Sequence, residues 1–211
     1  MTPPESCWGS EVIMGRKQIT SKKSKILAKA RKLFWEKGYQ KITMRDIARA
    51  CGFEPSNLYN YFPNKETLLY EVIMEEMDLL LSSIRQLEYD RKTGPVEQLQ
   101  SLIRSHVDST LRYRQRIGLF ESELRHFSSA KQKMLLAMGR EYDQILQRII
   151  RRGIETGDFA EVDVKLTGYS IASMIVRTGL WYSPRGRLSR NEIADGLLKF
   201  ALHGILAKKP E

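Results

Sequence analysis

Between Thr43 and Tyr61 the chain gathers side chains that make hydrogen bonds rather than covalent bonds. Ser56, Asn57, Tyr59, Asn60 and Tyr61 bring hydroxyls, amides and aromatic edges close together, with Pro55 just ahead of them. A helix that enters a DNA major groove needs such groups to meet base edges and phosphates. Thr43, Tyr59 and Lys65 suit phosphate oxygens, and Arg45 suits a phosphate or a base edge. Pro55, Ser56, Asn57, Asn60 and Tyr61 are then expected to face the groove. Covalent chemistry has no comparable cluster. There is no H-E-x-x-H, no Walker A pattern and no dinucleotide glycine fingerprint. His106, His126 and His203 form no metal-ligand pair at helical spacing. Cys7 and Cys51 fit neither a metal spacing nor a disulfide framework, and no Ser or Cys sits in a nucleophile elbow. No enzyme activity, metal or cofactor is expected, although catalytic groups can converge from anywhere in a fold.

The elements that must hold the polar cluster have local signals. Thr43 has the form of an N-cap, with Asp46 three residues on as a capping box. Ile47 and Ala48 would face the core of a short helix. Gly52 supplies a tight turn, where a left-handed backbone meets no Cβ. Pro55 suits the first position of a second helix because it has no N–H to leave unpaired. Leu58 and Phe62, four apart, would share that helix's buried face. The pattern is a helix-turn-helix, a unit that also occurs as plain packing.

Ahead of it, Ile26, Leu27, Ala30, Leu33 and Phe34 mark one apolar face of a helix over about Lys22–Lys37, stopped by Gly38. Residues 1–20 carry Pro3, Pro4, Gly9 and Gly15 and are expected to be an irregular extension, with Met14 as an alternative start. After it, a continuous apolar stripe from Leu68 to Leu87 predicts a long helix from Lys65, and Gly94-Pro95 a loop. Further helices are expected over about Pro95–Arg114, Leu119–Phe127, Met134–Ile154, Val164–Trp181 and Arg190–Ala207. Ser189 and Glu192 form a capping box for the last. The class is all-α. The expected division is an extension at 1–20, a helix-turn-helix domain at 21–66 and a helical domain at 67–211, with the boundary inside the long helix.

Charge is concentrated where the polar cluster lies. The chain has 211 residues and a net charge of +10. From Arg16 to Lys65, thirteen Lys and Arg stand against Glu36, Asp46 and Glu54. Such a stretch attracts a polyanion without regard to sequence. No apolar run approaches the ~18–20 residues of a membrane span, and no signal-peptide pattern opens the chain. A reducing, cytoplasmic setting without a membrane partner fits.

Ile26, Ala30, Leu33, Phe34, Gly38, Thr43, Asp46, Ile47, Ala48, Gly52, Leu58, Tyr59, Tyr61, Phe62, Lys65 and Leu68 together resemble the N-terminal pattern of the TetR/AcrR-type regulators. Glu54, Pro55 and Ser56 depart from it, where many members have a Ser cap and then Lys or Gly. The resemblance implies a bacterial, nucleoid-associated regulator, most simply a repressor released by a small-molecule effector. It also implies a homodimer on double-stranded operator DNA, with the last two helices of each copy forming the interface. Ile171, Met174, Ile175, Ile193, Leu197, Leu198, Ala201 and Ile205 suit that interface, and equally suit an ordinary core. Tyr113, Phe120, Phe127, Met134, Met138, Tyr142, Tyr169, Met174, Trp181 and Tyr182 could line an apolar effector cavity, or fill a closed core. The stretch 181–189 resembles a loop of the TetR-type regulators of fatty-acid, aromatic and steroid breakdown, some of which answer to coenzyme A thioesters. An acyl-CoA effector is therefore expected, with arginines such as Arg177 meeting its phosphates. A generic apolar inducer is the competitor. Two other readings stay open: an architectural DNA-binding protein without an effector, and a small-molecule enzyme or carrier.

Overall fold

The computed structural model describes residues 8–112, 124 and 127–205, with backbone alone for 8–21 and 88. Among them are eight helices and no strand: α1 (Trp8–Lys37), α2 (Met44–Cys51), α3 (Pro55–Tyr59), α4 (Lys65–Tyr89), α5 (Pro95–Arg112), α6 (Ser129–Glu155), α7 (Val164–Trp181) and α8 (Arg190–Ile205). None of these helices is long and apolar enough to cross a membrane. The chain falls into two compact units whose boundary lies between Val72 and Ile73. That boundary is inside α4, so the first two turns of this helix belong to one unit and the rest to the other.

The first unit is built from α1, α2, α3 and the start of α4. The helix expected to begin near Lys22 begins instead at Trp8. Gly9 and Gly15 lower helix propensity by only ~1 kcal/mol each, and no proline follows Pro4 in this stretch, so nothing forbids the extension. Ile26, Leu27, Ala30, Phe34 and Trp35 are buried, and Leu33 is half-buried. Gly38 ends α1 at φ +87°, its N–H donating to the Phe34 carbonyl at 3.0 Å. The Phe34 ring then meets Tyr39 edge-on at 5.3 Å.

Within the second unit, α5 packs against α6, α7 and α8, and α6 packs against α7. Leu99, Leu102 and Ile103 of α5 are completely buried, joined in one core by Leu146 and Ile150 of α6 and by Ile84 of α4. Caps set the helix starts. Ser128 accepts from the Lys131 N–H, and Asp163 accepts from the Leu166 N–H at 2.8 Å. Ser189 and Glu192 exchange both bonds of a capping box, at 3.3 and 2.8 Å. α6 starts five residues before the expected Met134, because Ala130, Lys131, Gln132 and Lys133 are good helix formers without an apolar period. It ends where Gly157 takes φ +76°. Just inside that end, a Cβ on Gly153 would lie 2.1 Å from the Phe159 ring, so only glycine lets this buried aromatic close the core. The short helix expected over 119–127 falls largely outside the described residues.

Candidate nucleic-acid interface and effector cavity

The helix-turn-helix is held by three local devices. Thr43 and Asp46 form the full capping box. The Asp46 N–H donates to Thr43 Oγ1 at 3.2 Å, and the Thr43 N–H and hydroxyl donate to Asp46 Oδ2 at 3.0 and 2.6 Å. These bonds, the hydroxyl's first, hold the Asp46 carboxyl below the usual carboxylate range. Gly52, at φ +71°, turns the chain, and the Phe53 N–H reaches the Ala48 carbonyl at 2.9 Å. Met44, Ile47, Ala48 and Cys51 fill the space beneath, where burial pushes the Cys51 thiol up. Pro55 opens α3 as expected, and Glu54 gives it no side-chain cap. α3 is therefore short and anchored by packing: Leu58 and Phe62 are both 0% exposed.

That anchoring leaves Ser56, Asn57, Tyr59 and Asn60 exposed, with Pro55 and Tyr61 half-exposed beside them. Arg45 is exposed as well. Two of the expected phosphate contacts are otherwise occupied. Thr43 has both donors committed to Asp46. Lys65 is half-buried, and its ammonium donates to the carbonyls of Tyr39 and Ile42, both at 3.0 Å, while lying 4.1 Å from the Tyr39 ring centroid. It ties the loop after α1 to the start of α4. An ammonium near two carbonyls and a ring face is held by charge-assisted bonds and by the ring's quadrupole. Sequence spacing could not reveal this, because the partners lie 23 and 26 residues away.

The second unit contains a cavity of about 410 Å³, in the size range of small-molecule sites. α4 lines it with Ile73, Met77 and Leu80, and α5 with His106, Ser109 and Thr110. α6 adds Leu135, Leu136, Gly139, Arg140, Tyr142 and Asp143, and α7 adds Ala172 and Val176. The walls are mostly apolar with one polar corner. There the Tyr142 hydroxyl lies 2.7 Å from His106 Nδ1, the two rings edge-on at 4.8 Å. Burial pushes the Tyr142 phenol up, so it stays a neutral hydroxyl, and burial also raises the Asp143 carboxyl. Arg140 is exposed at the cavity. No cluster of His, Cys, Asp or Glu able to hold a metal occurs among the described residues.

Of the residues expected to line an effector site, Tyr142 does so. Met138 and Phe127 are buried but are not among the residues lining this cavity, and Met174 is half-buried. Tyr169, Arg177 and Trp181 are exposed on α7. Tyr113 and Phe120 lie outside the described residues. His106, one of three scattered histidines in the sequence, turns out to line the cavity. Its signal is its place on the apolar stripe of α5, one turn beyond Leu102 and Ile103. The residues expected at the dimer interface lie mostly inward in the single chain. Ile171, Ile175, Ile193, Leu198, Ala201 and Ile205 are buried in the subunit's own core, and Met174 and Leu197 pack partly against it. The most regular apolar stripe of each helix faces its own bundle, because that is where most of its area is removed from water. What α7 and α8 leave outside is Leu166, Tyr169, Leu180, Trp181 and Phe200.

Two family models match the chain. The one described as bacterial regulatory proteins, tetR family, matches residues 26–72. The one described as tetracyclin repressor-like, C-terminal domain, matches residues 92–205. The HTH-type transcriptional repressor KstR2 of Mycolicibacterium smegmatis is 26% identical over 190 residues, spanning 89% of this chain and 92% of that protein. The TetR family regulator PfmR from Thermus thermophilus is 29% identical and aligns with a TM-score of 0.77, over 84% of this chain and 97% of its own. AibR, solved with isovaleryl coenzyme A and operator DNA, is 26% identical and aligns with a TM-score of 0.75, over 85% and 97%.

Proposed function

Because this chain belongs to the TetR family of helix-turn-helix transcriptional repressors, and is a regulator rather than an enzyme, we propose that it is released from its operator by an acyl-CoA thioester. The observation that carries this reading is the cavity: an apolar space with one hydrogen-bonding corner and an exposed arginine. The acyl part lies against Met77, Leu80, Leu135 and Val176. His106 and Tyr142 meet its carbonyl or a ring oxygen, and Arg140 meets a phosphate. AibR, similar along most of its length, is a relative solved with isovaleryl coenzyme A.

The chain works as a homodimer, since recognition helices of two copies must reach successive major grooves roughly 34 Å apart. We assign the partner's seat to the outer face of α7 and α8, where Leu166, Tyr169, Leu180, Trp181 and Phe200 are exposed. Arg45, Ser56, Asn57, Tyr59 and Asn60 make the DNA contacts. The switch runs along α4, which lines the cavity with Ile73, Met77 and Leu80 and begins in the DNA-binding unit. A ligand shifts such an equilibrium only by its differential affinity for the two states, ~5.5 kcal/mol for a swing from 1:99 to 99:1.

Operator release is measured with acyl-CoA thioesters, the matching free acids and neutral apolar compounds. Release by thioesters at the lowest concentrations is the expected result. Release by neutral compounds, and by no thioester, refutes the coenzyme A assignment and favours a generic apolar inducer. Tight binding to scrambled duplex, indifferent to every compound, would instead mark an effector-independent architectural protein.

A further inference from the structure

A second cavity, of about 270 Å³, opens in the same unit where the end of α4, the turn after it, Gln98 of α5 and the second half of α6 come together, with Ile145 and Ile149 at its apolar side. It is more polar than the first and more strongly basic. Tyr89, Arg91, Arg148, Arg151, Arg152 and Glu155 line it, giving four guanidinium groups, one carboxylate and one aromatic ring. Tyr89 is 78% exposed, the most of any large hydrophobic residue described.

The turn that carries Arg91 is fixed by a network of its own. Arg152 donates to Gln98 Oε1 at 3.0 Å and to the Thr93 carbonyl at 3.2 Å. Gln98, 1% exposed, donates to the carbonyls of Leu87 and Asp90 at 2.6 and 2.7 Å. The Asp90 carboxylate accepts from the Lys92 and Thr93 N–H groups and from the Thr93 hydroxyl. Arg91 therefore projects from a rigid turn, and a ligand there loses little by ordering it. Arginines near the end of α6 also complement that helix's negative end. This accounts for Arg152, the one basic residue of the last turn, and at most in part for Arg151; Arg148 lies two turns from the end. It does not account for Arg91 and Tyr89, which reach the same cavity from α4 and its turn.

We propose that this cavity is a second ligand site, taking a small phosphorylated heterocycle of the nucleoside diphosphate class. Arg91, Arg148 and Arg151 hold the phosphate oxygens, for which the guanidinium fork is suited. The base stacks on Tyr89, and Glu155 accepts from ribose hydroxyls. Arg152 positions the turn and adds charge. The proposal does not rest on the acyl-CoA reading, which concerns the other cavity.

The test is calorimetric titration of full-length protein, at near-physiological salt, with ADP and with inorganic pyrophosphate. Wild type is expected to bind ADP at one site per chain. Arg91→Ala and Arg151→Ala, both exposed positions, should each weaken both probes about tenfold. Tyr89→Ala should weaken ADP roughly tenfold and pyrophosphate little, since base stacking is lost. Arg104→Ala, which breaks a pair with Asp195 elsewhere in the unit, should change neither. Equal ADP binding in wild type and both cavity variants would overturn the site, leaving only diffuse attraction to a basic chain. Failure of wild type to bind ADP at millimolar concentration would overturn it as well. Operator release by a thioester is then measured on Arg151→Ala. An unchanged response supports two separate sites. A lost response makes this cavity the nucleotide end of the effector site and refutes the second-site proposal. A protein that binds ADP here and ignores every thioester keeps this proposal and sinks the earlier one.

Discussion

Asn60 and Lys65 lie five residues apart and are expected to fail in different ways. Asn60 is exposed at the end of α3 and is proposed to meet DNA, so Asn60→Ala should change which operator is preferred, by ~1–3 kcal/mol if the amide makes a bidentate base contact. Lys65 is turned inward, so Lys65→Ala should weaken every operator alike and also lower stability by ~1.5–3 kcal/mol through its lost charge-assisted bonds. Operator panels and thermal melts of both variants check this; an unchanged melting temperature for Lys65→Ala would contradict the inward role. Tyr142→Phe removes one partner of a buried bond to His106 and should cost ~1–3 kcal/mol. If the effector meets that corner, half-release should also need a higher effector concentration. Thr43 and Asp46 set a pH response. Asp46 has a depressed folded pKa, so its contribution is present above the ordinary Asp value and is lost as pH falls through the folded one. Thr43→Ala should lose ~1 kcal/mol at neutral pH and weaken this acid dependence, the backbone N–H of residue 43 and the Arg49 charge still acting on Asp46; melts between neutral and strongly acid pH would report both.

At the scale of elements, what could be read in advance was whatever depends on neighbours in the chain. Thr43 with Asp46, Gly52, Pro55, and Ser189 with Glu192 are local devices, and each stands where its residue type requires. What depends on distant partners could not be read. Lys65 is the clearest case. Gly153 is another: nothing near it marks a place where glycine is needed, and the reason is Phe159 arriving from beyond the end of its helix. Gly153→Ala should therefore destabilise, although alanine is the better helix former. The gain in propensity is ~1 kcal/mol, and forcing a methyl against a buried ring costs ~1–3 kcal/mol or more. A denaturant melt showing Gly153→Ala as stable as wild type would mean that Phe159 has room to move. The apolar residues of α7 and α8 were recognisable as stripes, but a stripe does not say whether its own bundle or a second copy covers it. The burial of Ile171, Ile175 and Leu198 answers that for the inner side.

For the whole molecule, the residues left outside on α7 and α8 become the ones to test. Trp181→Glu with Phe200→Glu should give a folded monomer of normal helix content with little operator affinity, since one copy cannot hold two half-sites. Light scattering with a gel shift checks it, and a stable dimer in this variant would place the partner elsewhere. The cavity illustrates the limit of sequence reading at this scale. Its class was foreseeable, an apolar space between helices, and Tyr142 was among the residues expected there. The remaining walls come from four separate helices, and only packing decides which apolar side chains point at each other and which leave a gap.

α3 has no capping side chain; Leu58 is its one buried side chain, and Phe62 is buried three residues beyond its end. Ser56, Asn57, Tyr59 and Asn60 are exposed, so folding constrains them less than it constrains Leu58 and Phe62. After a gene duplication these four positions can change at little cost in buried area, so one copy can acquire a new address on the chromosome while the other keeps the old one. Pocket and pairing surface would be inherited intact. The thin anchoring of the reading helix is in this sense a source of evolvability: target choice and molecular integrity are written in different residues, and selection can edit one without consulting the other.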